Sequence, residues 1–340
     1  MNVATAAAST TPASPPAATA PAAITAAITA DPVAYSIVTA VRDRLGQLRI
    51  TTAAISRHGH HAEHLIIDWS SQPPIRRQDL PADPRLRLVR VEGERQWWLS
   101  RAYNRGFQLA RHGWILKADA DALLGEAFFR RFAPAAATLQ LRHLVGGVAA
   151  AGGLDDLGLF AVERAALLAV GGFNPYLFGW GYDDLDLFER LFLHPGTTLA
   201  HLPAAGVTSL PHGIAERLGA AEPDPGERGW RRGLLIQRQQ AQLEANRCMA
   251  ALTRALPPAL EAPADCLERL PAVLLHQRRR ALLRGWLRPL LGRHGGRPAA
   301  LLPAAWLPAV LRGLGISDLP RLSAAPPPGE SAATTAAAAP

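Results

Sequence analysis

Apolar residues along this chain fall into short β-branched runs separated by stretches in which they recur every three or four positions. Tyr35–Val41 (YSIVTAV) and residues 65–69 (LIIDW) are continuous apolar runs of strand length, the pattern of strands buried on both faces. The second runs into the turn-prone Ser70-Ser71-Gln72-Pro73-Pro74. Leu86–Val91 alternates and reads as a third strand, and residues 114–118 (WILKA) as a fourth. Helical spacing covers 43–55 and 99–111, the latter stopping at Gly113. Strand and helix alternate, which predicts an α/β fold: a mixed, mostly parallel sheet flanked by helices. Ligands of such sheets sit beyond the carboxyl ends of the strands. Asp68, Asp119 and Asp121 each follow an apolar strand at such an end.

After Gly226 the strand signals stop. Residues 229–256 read as one long helix and 273–291 as a second. In the second, Leu282, Trp286 and Leu290 repeat at four, and Arg280, Arg284 and Arg288 form a parallel basic stripe. The expected organisation is a low-complexity flexible tail (1–32), an α/β domain (33–225), a basic helical region (226–322) and a second flexible tail (323–340).

With 49% hydrophobic and 19% charged residues, the 340-residue chain has ample core material, so it is not an intrinsically disordered protein. Two cysteines, Cys248 and Cys266, exclude a disulfide scaffold or a Cys-rich zinc module and suit a cytoplasmic protein. No apolar run reaches the roughly 18 residues of a membrane span. The uncharged, proline-broken start lacks the basic and continuous apolar regions of a secretory signal. The Ala-, Arg- and Pro-rich composition with a single lysine, Lys117, suggests a GC-rich bacterial genome. The net charge of +8 is unevenly placed: 228–321 carry 16 arginines against five acids. That basic rear suits an anionic membrane surface, where Trp286 among arginines would lie at the headgroups, or simply a Leu face packed on the α/β domain. Aromatic and basic residues are not interleaved on a strand, so nucleic acid is not an expected partner.

Two segments carry candidate chemistry. Asp119-Ala120-Asp121 is a D-x-D at a strand end, where two carboxylates can converge on Mn2+ or Mg2+ if the chain turns; most such pairs are solvated loop acids. Residues 171–187 (GGFNPYLFGWGYDDLDL) combine four glycines, five aromatics and three acids at an apparent helix start. The aromatics either pack or form a wall for a sugar face. The acids favour the helix dipole, and one of them can serve as a general base. His58, His60, His61 and His64 read as a solvated loop, although His60 and His64 would share a helical face. G-x-G-x-x-G is absent, so no dinucleotide fingerprint is present.

The run GGFNPYLFGWGYDDLDLFER (171–190) resembles the acceptor-site motif of inverting glycosyltransferases with the GT-A fold, and especially the galactosyltransferase signature in which W-G-x-E/D-D precedes the catalytic helix. Residues 36–45 (SIVTAVRDRL) are similar to the first strand and nucleotide loop of family 2 enzymes. Residues 67–71 (IDWSS) resemble the second-strand aspartate motif, and Ala102-Tyr103-Asn104-Arg105-Gly106 the A-x-N-x-G helix before the D-x-D. The similarity spans about 35–215, and it departs at Leu185, where galactosyltransferases often have a third consecutive acid.

The resemblance implies a nucleotide-sugar donor, a glycan or glycolipid acceptor, and transfer with inversion. It assigns donor binding to Thr39, Arg42, Asp68, Asn104 and Asp119, and metal binding to Asp121 and His212. Acceptor binding falls to Asp183, Trp180, Phe173 and Asn174, and the general base is Asp184. Asn104 also reads as a brace of the D-x-D strand or a satisfied helix polar. A sugar-nucleotide pyrophosphorylase and a non-catalytic assembly scaffold are the rival readings. The first wants a glycine-rich loop after strand one, which Val41-Arg42-Asp43-Arg44 lacks, and intact Asp121 and Asp184 count against the second.

Overall fold

The computed structural model describes residues 33–138, 158–197, 202, 205–211, 213, 228–256, 260–263, 265–292, 296–314 and 316. Both tails and Asp155-Asp156 lie outside these, as does His212. From residue 33 onward the described residues form one compact unit. In chain order the elements are β1 (Tyr35–Val41), α1 (Leu45–His58), β2 (Glu63–Trp69), β3 (Leu86–Val91), α2 (Leu99–Leu109) and β4 (Trp114–Lys117). Then come β5 (Ala122–Leu124), α3 (Glu126–Thr138), β6 (Phe160–Glu163), α4 (Arg164–Ala169), α5 (Asp183–Phe192) and β7 (Val207–Ser209). The rear consists of α6 (Arg228–Thr253), α7 (Ala272–Leu291), α8 (Gly296–Leu301) and α9 (Leu307–Gly313).

The main sheet runs β3-β2-β1-β4-β6. Its first four strands are parallel and β6 is antiparallel to β4. β1 is central and buried along its whole length, which is why its sequence is a continuous apolar run. β5 and β7 form a separate antiparallel pair beside the carboxyl ends. α2 covers one face of the sheet through Tyr103 and Phe107, which meet Phe160 and Phe173. Gly106 is required there: a Cβ would lie 2.5 Å from Val38 Cγ1. The opposite face is closed by Phe128, Phe129 and Phe132 of α3 against Tyr35.

α6 packs along α7, with Ala241 and Ala245 against Ala281, Leu282 and Trp286. Trp286 and Leu282 are therefore core residues, which corrects the reading of Trp286 as a headgroup anchor. Leu290, by contrast, is exposed, as are Leu301 and Trp306. Among the described residues no helix is long and apolar enough to cross a membrane. The histidine cluster is also corrected: His64 lies on β2, not a helix, and both it and His61 are buried rather than solvated.

Candidate active site

β4 ends in Lys117, whose side chain is 1% exposed. Its ammonium lies 2.9 Å from Asp119 Oδ1, 3.1 Å from Oδ2, and 3.8 Å from Asp184 Oδ1. The ring of Tyr103 stands beneath it at 4.7 Å. The Tyr103 hydroxyl donates to Asp119 Oδ1 at 2.7 Å, so α2 helps aim the first D-x-D carboxylate. Burial alone would push the Lys117 ammonium down; Asp119, Asp184 and Asp183 outweigh it and hold the group above its usual value. Sequence reading gave Lys117 no role. Its one signal was being the only lysine, placed two residues before an acid at a strand end.

Next to this ammonium, α5 begins at Asp183. Asp184 is 21% exposed at its side chain, and its Oδ1 has no hydrogen-bond partner among the described residues. Burial holds this carboxyl well above the usual range; Lys117 opposes the shift, while Asp183 and Asp119 add to it. Asp183 is raised for the same leading reason. Asp186 has a different job. It is buried and paired with Arg190 at 2.7 Å, whose guanidinium also donates to the Val170 and Gly172 carbonyls at 2.7 Å each. This ties the start of the glycine-rich loop to α5.

The second D-x-D acid, Asp121, faces Arg44 Nη1 at 3.4 Å. Thr51 Oγ1 fixes the intervening Ala120 carbonyl, and Leu210 N–H donates to the Asp121 carbonyl. Among the described residues no group of three or more His, Cys, Asp or Glu side chains is placed to hold a metal.

The residues expected at the donor divide. Asp119 is 39% exposed at its side chain, beside the buried Lys117 ammonium. Asp68 is fully buried, accepting from Ser71 N, Ile75 N and Arg90 Nη1. Arg42 donates to the carbonyls of Trp69, Glu94 and Arg95, bracing the loops after β2 and β3. Thr39 is buried with its hydroxyl 3.2 Å from His64 Nε2. Asn104 exchanges two hydrogen bonds of 2.8 Å with the Phe173 main chain, which makes it the brace and corrects the donor assignment.

The acceptor set divides as well. Phe173 is fully buried between Phe107 and Phe160, so it is core and not a sugar wall. Asn174 is buried, with Nδ2 donating to Thr253 Oγ1 on α6. Trp180, Asp183 and Asp184 remain together at the loop end. Gly181 and Tyr182 there have φ of 91° and 70°, a left-handed turn that delivers the chain into α5.

Residues 155–213, which hold the loop and α5, match the family model described as the N-terminal domain of galactosyltransferase. That segment is thus similar to a glycosyltransferase domain. The sheet is mixed and mostly parallel with flanking helices, the arrangement expected from the sequence. The catalytic domain of Drosophila β1,4-galactosyltransferase 7, solved with xylobiose, is 18% identical over 58% of this chain and 79% of that one, at a TM-score of 0.39. A mannosyltransferase from Pyrobaculum calidifontis, solved with GDP-Man and Mn2+, is 17% identical over 84% and 83%, at 0.45. Glucosyl-3-phosphoglycerate synthase from Mycobacterium tuberculosis, solved with Mg2+ and UDP, is 16% identical over 57% and 82%, at 0.43. No curated protein sequence matches the chain.

Proposed function

We propose that this protein is a glycosyltransferase that moves a hexose or N-acetylhexosamine from a UDP-sugar to a hydroxyl of a glycan or glycolipid, with inversion, in assembly of a surface polysaccharide or glycolipid. The observation that carries the reading is the Lys117-linked carboxylate cluster. Asp184, in the galactosyltransferase-like segment, shares one ammonium with Asp119 of the D-x-D. A base on one side of the cleft and a donor-side acid on the other is the layout a single displacement requires.

Asp184 Oδ1 has an open lone pair and a raised proton affinity, so it accepts the proton of the attacking hydroxyl. The bond from acceptor oxygen to anomeric carbon forms as the bond to the diphosphate breaks, and the electron pair leaves with the diphosphate. Asp183 binds acceptor hydroxyls and Trp180 walls the sugar. Asp119 and Asp121 suit Mn2+ or Mg2+ by donor type, since both are hard oxygen ligands. Such an ion would neutralise charge on the leaving diphosphate. His212 and donor contacts by Thr39, Arg42 and Asp68 belong to the same proposal, as do a cytoplasmic setting and peripheral contact of the basic rear with anionic lipid. A UDP-release assay over a panel of nucleotide sugars, with and without Mn2+, tests it; release from none of them contradicts it.

A further inference from the structure

The loop that delivers Trp180 and Asp184 is held by a helix outside the galactosyltransferase-like segment. Gln242 Oε1 on α6 accepts from Trp180 N–H at 2.8 Å. One helical turn later, fully buried Asn246 accepts from Phe178 N–H at 3.2 Å and donates to the Gly181 carbonyl at 2.8 Å. The helix comes close enough that a Cβ on Gly179 would lie 2.7 Å from the Gln242 side chain, and one on Gly181 would lie 3.0 Å from Leu243. Three main-chain groups in four consecutive loop residues are thus fixed by two side chains at i and i+4, on one face of α6.

We infer that Gln242 and Asn246 are positioning residues for the acceptor: α6 sets the backbone of 178–181 and through it the Trp180 ring, while α5 with Asp184 is anchored separately through Arg190 and the Val170 and Gly172 carbonyls. This rests on the reading of that loop as the acceptor site. The donor side, built on β4 and the D-x-D, receives no described contact from Gln242 or Asn246. Loss of the clamp should therefore weaken acceptor use and leave donor binding alone.

The test uses the full chain and the half-buried Gln242. Gln242→Met keeps the length and removes the acceptor atom, whereas Gln242→Glu keeps an oxygen for Trp180 N–H. For Gln242→Met the expected result is a roughly tenfold rise in acceptor KM, the scale of one lost hydrogen bond. Its kcat and its UDP affinity by calorimetry should stay within about twofold of wild type, and Trp180 amide exchange should quicken. Gln242→Glu should restore near wild-type KM. Unchanged Trp180 exchange in Gln242→Met would overturn the clamp, whatever the activity. Faster exchange with unchanged KM, failure of Gln242→Glu to rescue, or a parallel fall in UDP affinity would overturn the positioning role. A wild-type chain that transfers no sugar fails the functional reading instead, and is recognised before any variant is made.

Discussion

The Lys117 ammonium lies 3.8 Å from Asp184 Oδ1 and so joins the end of β4 to the first turn of α5. The same ammonium contacts both oxygens of Asp119. A charge buried this deeply is tolerated only with such partners. Lys117→Met leaves Asp119, Asp183 and Asp184 without their common cation. Stability should fall by about 3 to 5 kcal/mol, the usual effect of removing one member of a buried pair. Denaturant unfolding of the variant against wild type measures this, and an unchanged midpoint would show that the lysine is neutral there.

Asp121→Asn removes a carboxylate from the proposed metal position while keeping its shape. Calorimetric titration of UDP with Mn2+ should show binding abolished or reduced at least tenfold. Titration without metal should show no difference between variant and wild type. Equal affinity in both proteins with Mn2+ present would remove Asp121 from the metal site.

The strands that could be read from the sequence were the four parallel ones. YSIVTAV and LRLVRV are found at the residues expected: β1, buried on both faces, leaves an uninterrupted apolar run, and β3, at the sheet edge, an alternating one. β6 was not readable because its four residues run directly into α4 with no glycine or proline to mark a turn. The acids of the site were legible as D-x-D and as the D-D of the helix start. Their common partner was not, because Lys117 and Asp184 are far apart in sequence and only the fold brings them together. Phe173 shows the converse limit: an aromatic in a glycine-rich loop looks the same in sequence whether it lines a cleft or fills the core, and Asn104 pulls this one into the core. The histidines misled because four in seven positions suggest a polar loop, whereas β2 turns His64 inward beneath Thr39.

Those histidines predict acid sensitivity. Burial, with the Arg85 charge, lowers His61 to about 4, only partly opposed by Asp83; burial, with His61, lowers His64 to about 3. Both folded values lie below the unfolded value near 6.5. The unfolded chain therefore binds more protons in the interval, and stability present above about 6.5 is lost as the pH falls towards the folded values. Near pH 5 the loss should be on the order of 2 kcal/mol per histidine. Urea unfolding near pH 7.5 and pH 5 reads it, and His64→Gln should flatten the dependence. Equal slopes for variant and wild type would mean that His64 is not buried as a neutral ring.

The central claim is that Asp184 takes a proton and Asp183 holds the acceptor. Steady-state kinetics of Asp184→Asn and Asp183→Asn, with one donor and a matched acceptor, tests it most directly. Asp184→Asn is nearly isosteric and removes only basicity, so transfer should fall roughly 100- to 10,000-fold. UDP binding should stay near wild type, because the lost interaction is made only in the transition state. Asp183→Asn should raise acceptor KM and largely keep kcat. Near wild-type turnover by Asp184→Asn would contradict the account: paired with a dead Asp183→Asn it would exchange the two roles, and with both variants active it would leave the acids as no more than a helix start.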